Sequence, residues 1–465
     1  MDLDAKLRLL KKASAPRDPS RELEQALDYL RRLDQPPTPR KLPAQRMAQG
    51  IESYVEGVLE KNDLGEYFVA RQAFPFGRPY GKRCIGDISA ADLSPLNLLF
   101  PQAALPAPER LLYLDTETTG LAGGTGTCAF LIGIGFIDHT QFVIRQFFLR
   151  DYPEEKAILS ALAEILGSYD GLVTYNGKTF DVPLLETRYA LARLKSPFER
   201  LLHFDALHPA RRLWRLRLES CKLTDLESAV LGIEREGDVP GSEIPGLYFE
   251  YLRSGDARGL QPVFYHNALD VMTLAAVTVE LAQALGDGAN VDSPVDLFSL
   301  SRMFETAGSR TQSVETCQKA LTGGLPEEIE ARALHQLALQ YKRQRQHELA
   351  IETWLELSRR ASPLALDAFE ELAIHYEHHR RDHQGALGFA LAALERLEVG
   401  GVTAQMEITG VTAPSSRLAT SPAARFTHRI ERLRRKLARV ACQDLGFSYS
   451  PGSPLPTSPD TSRSS

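Results

Sequence analysis

Hydrophobic and polar positions change their spacing along the chain, and this change divides it into regions of different predicted structure. Between about 105 and 285, short apolar runs alternate with helical patterns, whereas beyond 295 apolar residues recur only at helical spacing. A meander of strands followed by strand–helix alternation predicts an α/β fold, a mixed sheet with helices on both faces. Five apolar runs predict its strands: 111–115, 128–137, 141–149, 172–175 and 201–207.

The helical region beyond 295 repeats itself about every 35 residues and looks like a set of tetratricopeptide repeats. Each repeat has a leucine, an aromatic residue four positions later and a small residue in the next helix. Stacked helix pairs of this kind present a concave surface, so a protein partner is expected here. Unrelated helical hairpins are the alternative interpretation. The repeated positions are Leu300, Phe304 and Ser313, then Leu337, Tyr341 and Ala350, then Leu372, Tyr376 and Ala386.

Residue patterns predict several segments, in line with the two or three domains expected of 465 residues. Small and polar residues with proline dominate the two segments that follow the repeats and are predicted to be disordered. The segments are a helical, partly disordered N-terminal region at 1–50, a β-hairpin lead-in at 51–104, the α/β domain at 105–290, the helical repeats at 295–398, a disordered linker at 399–424, a basic helix at 425–446 and a disordered tail at 447–465.

The overall charge does not by itself favour a nucleic-acid partner, since the formal net charge is −6. Such binding would have to come from local basic segments such as 211–217 and 429–439, for which an ordinary surface or core-packed helix is the alternative. Five scattered cysteines show no metal or redox spacing and predict buried thiols in a reducing compartment. Without an apolar run of about 18 residues, the protein is expected to be cytoplasmic and not membrane-bound.

Asp115 and Glu117 directly follow the apolar run 111–114 and give the first indication of chemistry. Residues i and i+2 of a strand point to the same face, so the two carboxylates are expected on one side of the sheet. Two charges about 4 Å apart repel each other by about 4 kcal/mol at an effective dielectric constant near 20. A divalent cation would offset this repulsion, because hard cations take carboxylate ligands. A strand end that merely faces water is the alternative.

Two further acids lie downstream at positions that the predicted elements define. Asp181 follows the strand 172–175 and a turn, and it opens the next helix, where a simple first-turn acid is the alternative. Asp270 and His266 are four residues apart on one face of a predicted helix. For them the alternative is an exposed helical pair.

Together, these four acids resemble those of the DEDD exonuclease superfamily, which has the ribonuclease H-like fold. Their order is that of the superfamily, with Asp-x-Glu on the first strand and an apolar residue before the third acid. Longer stretches look like the YprB-type bacterial nucleases, in which such a domain is joined to C-terminal helical repeats. These stretches are Asp-Thr-Glu-Thr-Thr-Gly at 115–120, Tyr-Asn-Gly-Lys-Thr-Phe-Asp at 175–181, Glu-Arg-Glu-Gly-Asp-Val-Pro-Gly at 234–241 and His-Asn-Ala-Leu-Asp-Val at 266–271.

The resemblance implies a metal-dependent 3′–5′ exonuclease acting on DNA or RNA, with a single-stranded end favoured. Two Mg²⁺ or Mn²⁺ ions would be held by the four acids. The superfamily has its general base either as Tyr four residues before the last acid or as His five before it. Here the order is reversed, with His266 at four and Tyr265 at five. We expect His266 to be the base, because an imidazole of ordinary pKa near 6.5 accepts protons at neutral pH, and Tyr265 is the alternative.

Residues beside these acids are candidate substrate contacts. The glycines from Gly120 onward are expected to let the substrate backbone approach closely, and Lys178 either meets a phosphate or is a solvated turn lysine. Asp205 is either an accessory acid or a simple strand-end acid. The carboxylates alone would fit an endonuclease equally, and a catalytically silent binding scaffold is the alternative from another class. The candidate contacts are Thr118, Thr119, Gly120, Asn176, Lys178 and Tyr265.

Overall fold

The computed structural model describes residues 50–100, 103–120, 126–286, 288, 290–399 and 421–444. The chain divides into two compact units, Met1–Asp292 and Ser293–Ser465. The predicted N-terminal helical region, the predicted linker after the repeats and the predicted tail lie almost entirely outside the described residues.

The first unit is built on a mixed seven-stranded sheet, which confirms the α/β fold predicted from the sequence. Its strands are β1 (Gly57–Asn62), β2 (Gly65–Pro75), β5 (Leu111–Thr118), β6 (Ala129–Asp138), β7 (Gln141–Phe148), β8 (Gly171–Thr174) and β9 (Leu202–Asp205), while β3 (Pro79–Tyr80) and β4 (Arg83–Cys84) form a separate two-stranded ribbon. The order across the sheet is β1-β2-β7-β6-β5-β8-β9. Strands β5, β8 and β9 run parallel, and all other neighbours are antiparallel.

The hairpin β1–β2 belongs to this same sheet, because β2 pairs antiparallel with β7 from Phe68 to Pro75. Phe68 and Val69 are buried in one core cluster with Phe147 and Phe148 of β7. The segment predicted as a lead-in to the α/β domain therefore contributes two strands to the domain's own sheet.

Helices cover both faces of the sheet. On β6, a side chain at Gly133 or Gly135 would meet Asn267 or Val271 of the long helix α7 (Gln261–Gly286), so this face lies against α7. The alternate residues of β6 point to the other face, into the core cluster that contains helix α2 (Glu155–Leu166). The helices of this unit are α1 (Gly86–Ala90), α2 (Glu155–Leu166), α3 (Asp181–Leu191), α4 (Leu207–Trp214), α5 (Leu223–Leu226), α6 (Ile244–Ser254) and α7 (Gln261–Gly286), with a π-helical turn at Glu227–Leu231.

Helix α7 is the core helix of the first unit. With its 3-10 first turn it spans Arg258–Gly286 and is, by length and composition alone, apolar enough to cross a membrane. Its most apolar stretch is 78% buried inside the protein, and it packs against β5 and β6. Its apolar character therefore has an explanation in the fold, because a helix that packs on a sheet and is covered by other elements is apolar nearly all round.

The described part of the second unit is helical, as the sequence predicted, and consecutive helices pack against each other. The repeated leucines and small residues are buried between these helices, with the aromatic residues buried or half-buried. The assignment to tetratricopeptide repeats stays a prediction. The helices are α8 (Pro294–Thr306), α9 (Arg310–Thr322), α10 (Glu327–Arg343), α11 (His347–Ser358), α12 (Ala365–His378), α13 (His383–Val399) and α14 (Pro422–Asp444).

Helix α14 is the basic helix predicted near the C-terminus, and it packs on α13 through Phe426 and Ile430. Part of its positive charge is used inside the unit. The fully buried carboxylate of Glu377 accepts hydrogen bonds from Arg432 (2.6 Å) and Lys436 (2.8 Å). Burial acts to raise the pKa of Glu377, but these two bonds lower it below its usual range overall.

Candidate active site

Strand β5 carries Asp115 and Glu117 at the end of its buried apolar half. The strand continues to Thr118, and its pairing with β6 shifts register between Glu117 and Thr118. Asp115 and Glu117 both line one cavity of about 780 Å³. The two carboxylates therefore point the same way, as their i, i+2 spacing predicts.

Asp181 and Asp270 reach Asp115 from two helices. Asp181 opens α3, and its Oδ1 accepts a hydrogen bond of 2.5 Å from Oγ1 of Thr116, which lies between the two acids of β5. Asp270 lies on α7, which packs across β5. The charges of Glu117, Asp181 and Asp270 all act on the titration of Asp115. The fold thus brings together the four acids that the sequence singled out.

The pKa values of Asp115, Glu117 and Asp181 are raised, and the main cause for each is burial. Burial raises the pKa of Asp115 well above its usual range, and the charges of Asp270 and Glu117 raise it further. Burial also raises the pKa of Glu117 to about 7 and that of Asp181 to about 6, although His266 opposes the first shift and the Thr116 hydroxyl the second. Such shifts are typical of carboxylates that share a desolvated site.

Asp115 is held by Asn267, a residue that the sequence analysis did not single out. Nδ2 of Asn267 donates to Oδ2 of Asp115 over 2.9 Å, and its Oδ1 accepts from Nε2 of Gln146 over 3.0 Å. Asn267 and Gln146 are both fully buried. Gly133 makes room for this contact, because a Cβ atom there would lie 2.2 Å from Oδ1 of Asn267.

Arg235 is a second residue that the sequence analysis missed, although it lies in the quoted stretch 234–241. Its Nε and Nη2 donate to the two oxygens of Glu227 over 2.5 and 2.6 Å. Its Nη1 donates to Asp238 over 2.9 Å, and Nη2 also donates to Asp270. The side chain is only 7% exposed, so this cation is an internal part of the acid cluster.

His266 forms a pair with Asp238 and faces the acids with its other nitrogen. Nδ1 lies 2.9 Å from Oδ1 of Asp238, and since an ionised carboxylate only accepts, Nδ1 carries the proton. Nε2 then lies 3.5 Å from Asp270 and 3.9 Å from Glu117. Tyr265, by contrast, is 43% exposed. An imidazole oriented by a carboxylate is suited to accept a proton at Nε2.

The cavity contains part of the predicted substrate-binding set. It is half open and combines polar residues of β5 with apolar residues of α3 and of the segment 241–245. Of the predicted residues, Thr118, Gly120 and Asn176 line it, together with Asp115, Glu117 and Asp181. The other lining residues in the described part of the chain are Thr116, Thr127, Tyr175, Thr179, Phe180, Pro183, Leu184, Thr187, Gly241 and Pro245.

Other predicted contacts have structural partners. Thr119 pairs with Cys128, both through its backbone N–H and through its Oγ1, which accepts from the Cys128 N–H over 3.1 Å. The backbone N–H groups of Asn176 and Lys178 donate to Asp205 over 2.8 and 3.0 Å. The ammonium of Lys178 lies 5.6 Å from the centroid of the Phe100 ring. Asp205 thus fixes the turn that leads to Asp181, which agrees with the strand-end interpretation.

The basic segment 211–217 lies on and after α4, and its tryptophan belongs to the core. Trp214 is 4% exposed, so in this structure it is not available to stack on a base. Arg215 donates to the backbone carbonyls of Leu218 and Glu219. The core-packed interpretation of this segment is therefore the one that the structure supports.

The four acids are suitable metal ligands in chemical terms. Among the described residues, no group of three or more His, Cys, Asp or Glu side chains is arranged to hold a metal ion. Asp270 is bonded to Arg235 instead, and burial raises the pKa of Asp115 and of Glu117. Carboxylate oxygens are nevertheless the donors that hard divalent cations take, and four carboxylates lie together here. The residues present therefore fit a divalent cation.

Comparison with known proteins agrees with this geometry. A sequence model of the RNase H superfamily matches residues 112–282, a range that contains the four acids and the His266–Asp238 pair. The uncharacterized protein YprB of Bacillus subtilis (strain 168) is 32% identical over 288 residues, which cover 61% of this chain and 69% of YprB.

Proposed function

The chain belongs to the RNase H superfamily, in the group of YprB, and we propose that it is a divalent-metal-dependent nuclease. We further propose that it acts as a 3′–5′ exonuclease. The observation that carries the proposal is the convergence of four acids: Asp115, Glu117 and Asp181 line a cavity of about 780 Å³, and Asp270 and His266 lie beside them. The direction of digestion follows from the resemblance to the DEDD exonucleases.

The four acids would hold two Mg²⁺ or Mn²⁺ ions. When bound, such ions stabilise the charge on the attacking and leaving oxygens of a phosphodiester. One oxygen of Asp115 is already bonded to Asn267, one of Asp181 to Thr116 and one of Asp270 to Arg235. Hydrogen bonds of this kind orient carboxylate ligands, and each leaves the second oxygen as a donor for a cation.

His266 would act as the general base. With its Nδ1 proton donated to Asp238, the lone pair of Nε2 is directed towards Glu117 and Asp270. Nε2 would take a proton from the attacking water while its oxygen forms a bond to phosphorus. The bond from phosphorus to the 3′ oxygen breaks, and that oxygen leaves with a proton from solvent. The products are a 5′-mononucleotide and a shortened strand.

The substrate would be a single-stranded end of DNA or RNA. The cavity is lined by acids and by apolar groups such as Phe180 and Pro245. Its volume accommodates a nucleotide but not a duplex. We also propose that the tetratricopeptide-like repeats bind a protein partner and that the protein is cytoplasmic.

The test is degradation of 5′-labelled single-stranded DNA and RNA with Mn²⁺ or Mg²⁺, by the wild-type protein and by Asp115→Asn. A ladder that shortens from the 3′ end, lost in the variant and in chelator, is expected. Asp138→Asn is the matched control, because Asp138 is an exposed strand-end acid paired with Arg71. Absence of any cleavage by the wild type, or equal cleavage by Asp115→Asn, would favour the silent scaffold.

A further inference from the structure

Arg235 connects parts of the site that otherwise come from different elements. It bonds Asp238, which holds the proposed base, and it bonds Asp270, a proposed metal ligand. Neither the motif that carries the acids nor their spacing assigns it a role. We propose that Arg235 is a positioning residue, an inference that rests on the proposed function. Its guanidinium keeps the His266–Asp238 pair at a fixed position relative to Asp270.

The guanidinium of Arg235 is itself held in place by Glu227. Glu227 receives two parallel bonds from it, and Glu227 also accepts from the hydroxyl of Thr273. Thr273 lies three residues after Asp270 on α7, so the residue that holds Glu227 and the acid that Arg235 contacts belong to one helix. Oγ1 of Thr273 further lies 2.6 Å from the Tyr80 hydroxyl. Arg235 therefore cannot turn without breaking contacts to α7.

The geometry requires an arginine rather than a positive charge alone. Nε and Nη2 bind Glu227, which directs Nη1 to Asp238 and leaves the second direction of Nη2 for Asp270. A planar fork fixes these directions, whereas a lysine ammonium is a point charge on a flexible stem. At 7% exposure the side chain is withdrawn from solvent. It therefore acts through Asp238, Asp270 and His266, whose Nδ1 lies 3.4 Å from its Nη1, rather than by binding substrate.

The experiment compares Arg235→Ala with Arg83→Ala. Arg83 is the matched control, because its guanidinium also bonds an acid of α7, Glu280 (2.6 Å), ten residues beyond Asp270. Arg235→Ala is expected to lower kcat about 100-fold with KM changed less than about 3-fold, and to weaken Mn²⁺ binding, read by electron paramagnetic resonance, about 10-fold. Added methylguanidinium should restore at least part of kcat in Arg235→Ala and none in Arg83→Ala.

Any of three outcomes would overturn the inference. The first is an equal loss of kcat and of Mn²⁺ binding in Arg235→Ala and Arg83→Ala. The others are full activity in Arg235→Lys, and a folded Arg235→Ala whose kcat methylguanidinium does not restore. If Arg235→Ala does not fold, Arg235→Lys, which keeps the charge without the planar guanidinium, takes its place and should lower kcat in the same way.

The role of Arg235 can be tested even if the wild-type protein cleaves nothing. In that case ¹⁵N NMR of the His266 imidazole and Mn²⁺ titration show whether Arg235 positions the site. The Nδ1-protonated tautomer should be lost in Arg235→Ala and kept in Arg83→Ala. An unchanged tautomer together with unchanged Mn²⁺ affinity would overturn the role of Arg235 whatever the activity.

Discussion

Asn267 donates its side-chain amide to the carboxylate of Asp115, 152 residues earlier in the chain. The residue after the proposed base thereby orients the proposed central metal ligand. His266 and Asn267 are neighbours on α7, so a single turn of helix serves both the proton acceptor and the acid at the centre of the cluster.

Replacing Asn267 with leucine should lower nuclease activity about 10- to 100-fold, because Asp115 loses the bond that orients it. Steady-state kinetics and Mn²⁺ affinity measure the effect. The control is Gln283→Leu, an amide-to-leucine change farther along the same helix, which should leave both values near those of the wild type. Wild-type metal affinity in Asn267→Leu would contradict the assigned contact.

Gly133→Ala should destabilise the first unit by about 1–3 kcal/mol, because the new Cβ meets the buried amide of Asn267 and overpacks the interface. Urea denaturation gives the free energy of unfolding. Gly246→Ala is the matched control, since a Cβ at Gly246 meets nothing within 4 Å. Because Gly246 lies inside α6, its replacement should be neutral or stabilising. Equal effects of the two substitutions would show that the contact at Gly133 is unimportant.

Asp115→Asn should raise the melting temperature in EDTA by a few degrees, because burial and neighbouring acids make an ionised Asp115 costly. Mn²⁺ should raise the melting temperature of the wild type, since a ligand of the folded state stabilises it, and should have little effect on the variant. Differential scanning fluorimetry gives both values, with Asp138→Asn as control. A Mn²⁺ shift of wild-type size in Asp115→Asn would speak against metal binding at this cluster.

The first unit should lose stability in acid partly through His203. Burial and the nearby Lys178 lower the pKa of His203 to about 4, and its Nε2 is 2.8 Å from the Thr174 hydroxyl. The unfolded chain, with a histidine pKa near 6.5, binds the proton more readily, so the free energy of unfolding falls as pH drops from about 6.5 to 4. The loss amounts to about 3 kcal/mol at most.

His203→Gln should flatten this pH dependence in urea denaturation, because glutamine keeps a polar group beside Thr174 but takes up no proton. His208→Gln, at an exposed position of α4, is the control and should retain the wild-type slope. A wild-type slope in His203→Gln would exclude His203 as the cause.

Glu377→Gln should loosen α14 from the second unit. The buried carboxylate faces Arg429, Arg432 and Lys436, and without its charge these partly exposed cations repel each other. A loss of about 1–3 kcal/mol is expected, together with faster proteolysis after the α14 arginines. Glu371→Gln removes an acid paired with Lys342 and is the control. Protection equal to that of the wild type would mean that apolar contacts alone hold α14.

The sequence predicted features that depend on local spacing. The strands of the sheet and the acids at their ends could be read from periodicity, since Asp115 and Glu117 share a face in any strand. The resemblance to the DEDD exonucleases then predicted that the four acids meet. The hairpin β1–β2 was predicted as a hairpin, but its pairing with β7 was not, because a strand's neighbour is not encoded in its own pattern.

Contacts made by loops could not be predicted in this way. Arg235 lies 35 residues from Asp270, and Asp238 lies 28 residues from His266. Their partners depend on where the segment 232–243 comes to lie, and nothing in its periodicity fixes that position. The choice between His266 and Tyr265 had the same origin. The two residue types are exchanged relative to the motif, and only the exposure of Tyr265 and the partner of His266 distinguish them.

The pairing of β2 with β7 sets the smallest fragment in which the site can be studied. A shortened chain that began at residue 105 would keep all four acids. It would lose β2 and so expose one edge of β7 along eight residues, among them Phe147 and Phe148, while the other edge stays paired with β6. An open, apolar strand edge recruits other strands, so such a fragment should self-associate. A soluble catalytic fragment therefore has to start no later than Ile51, which is itself buried in the same core.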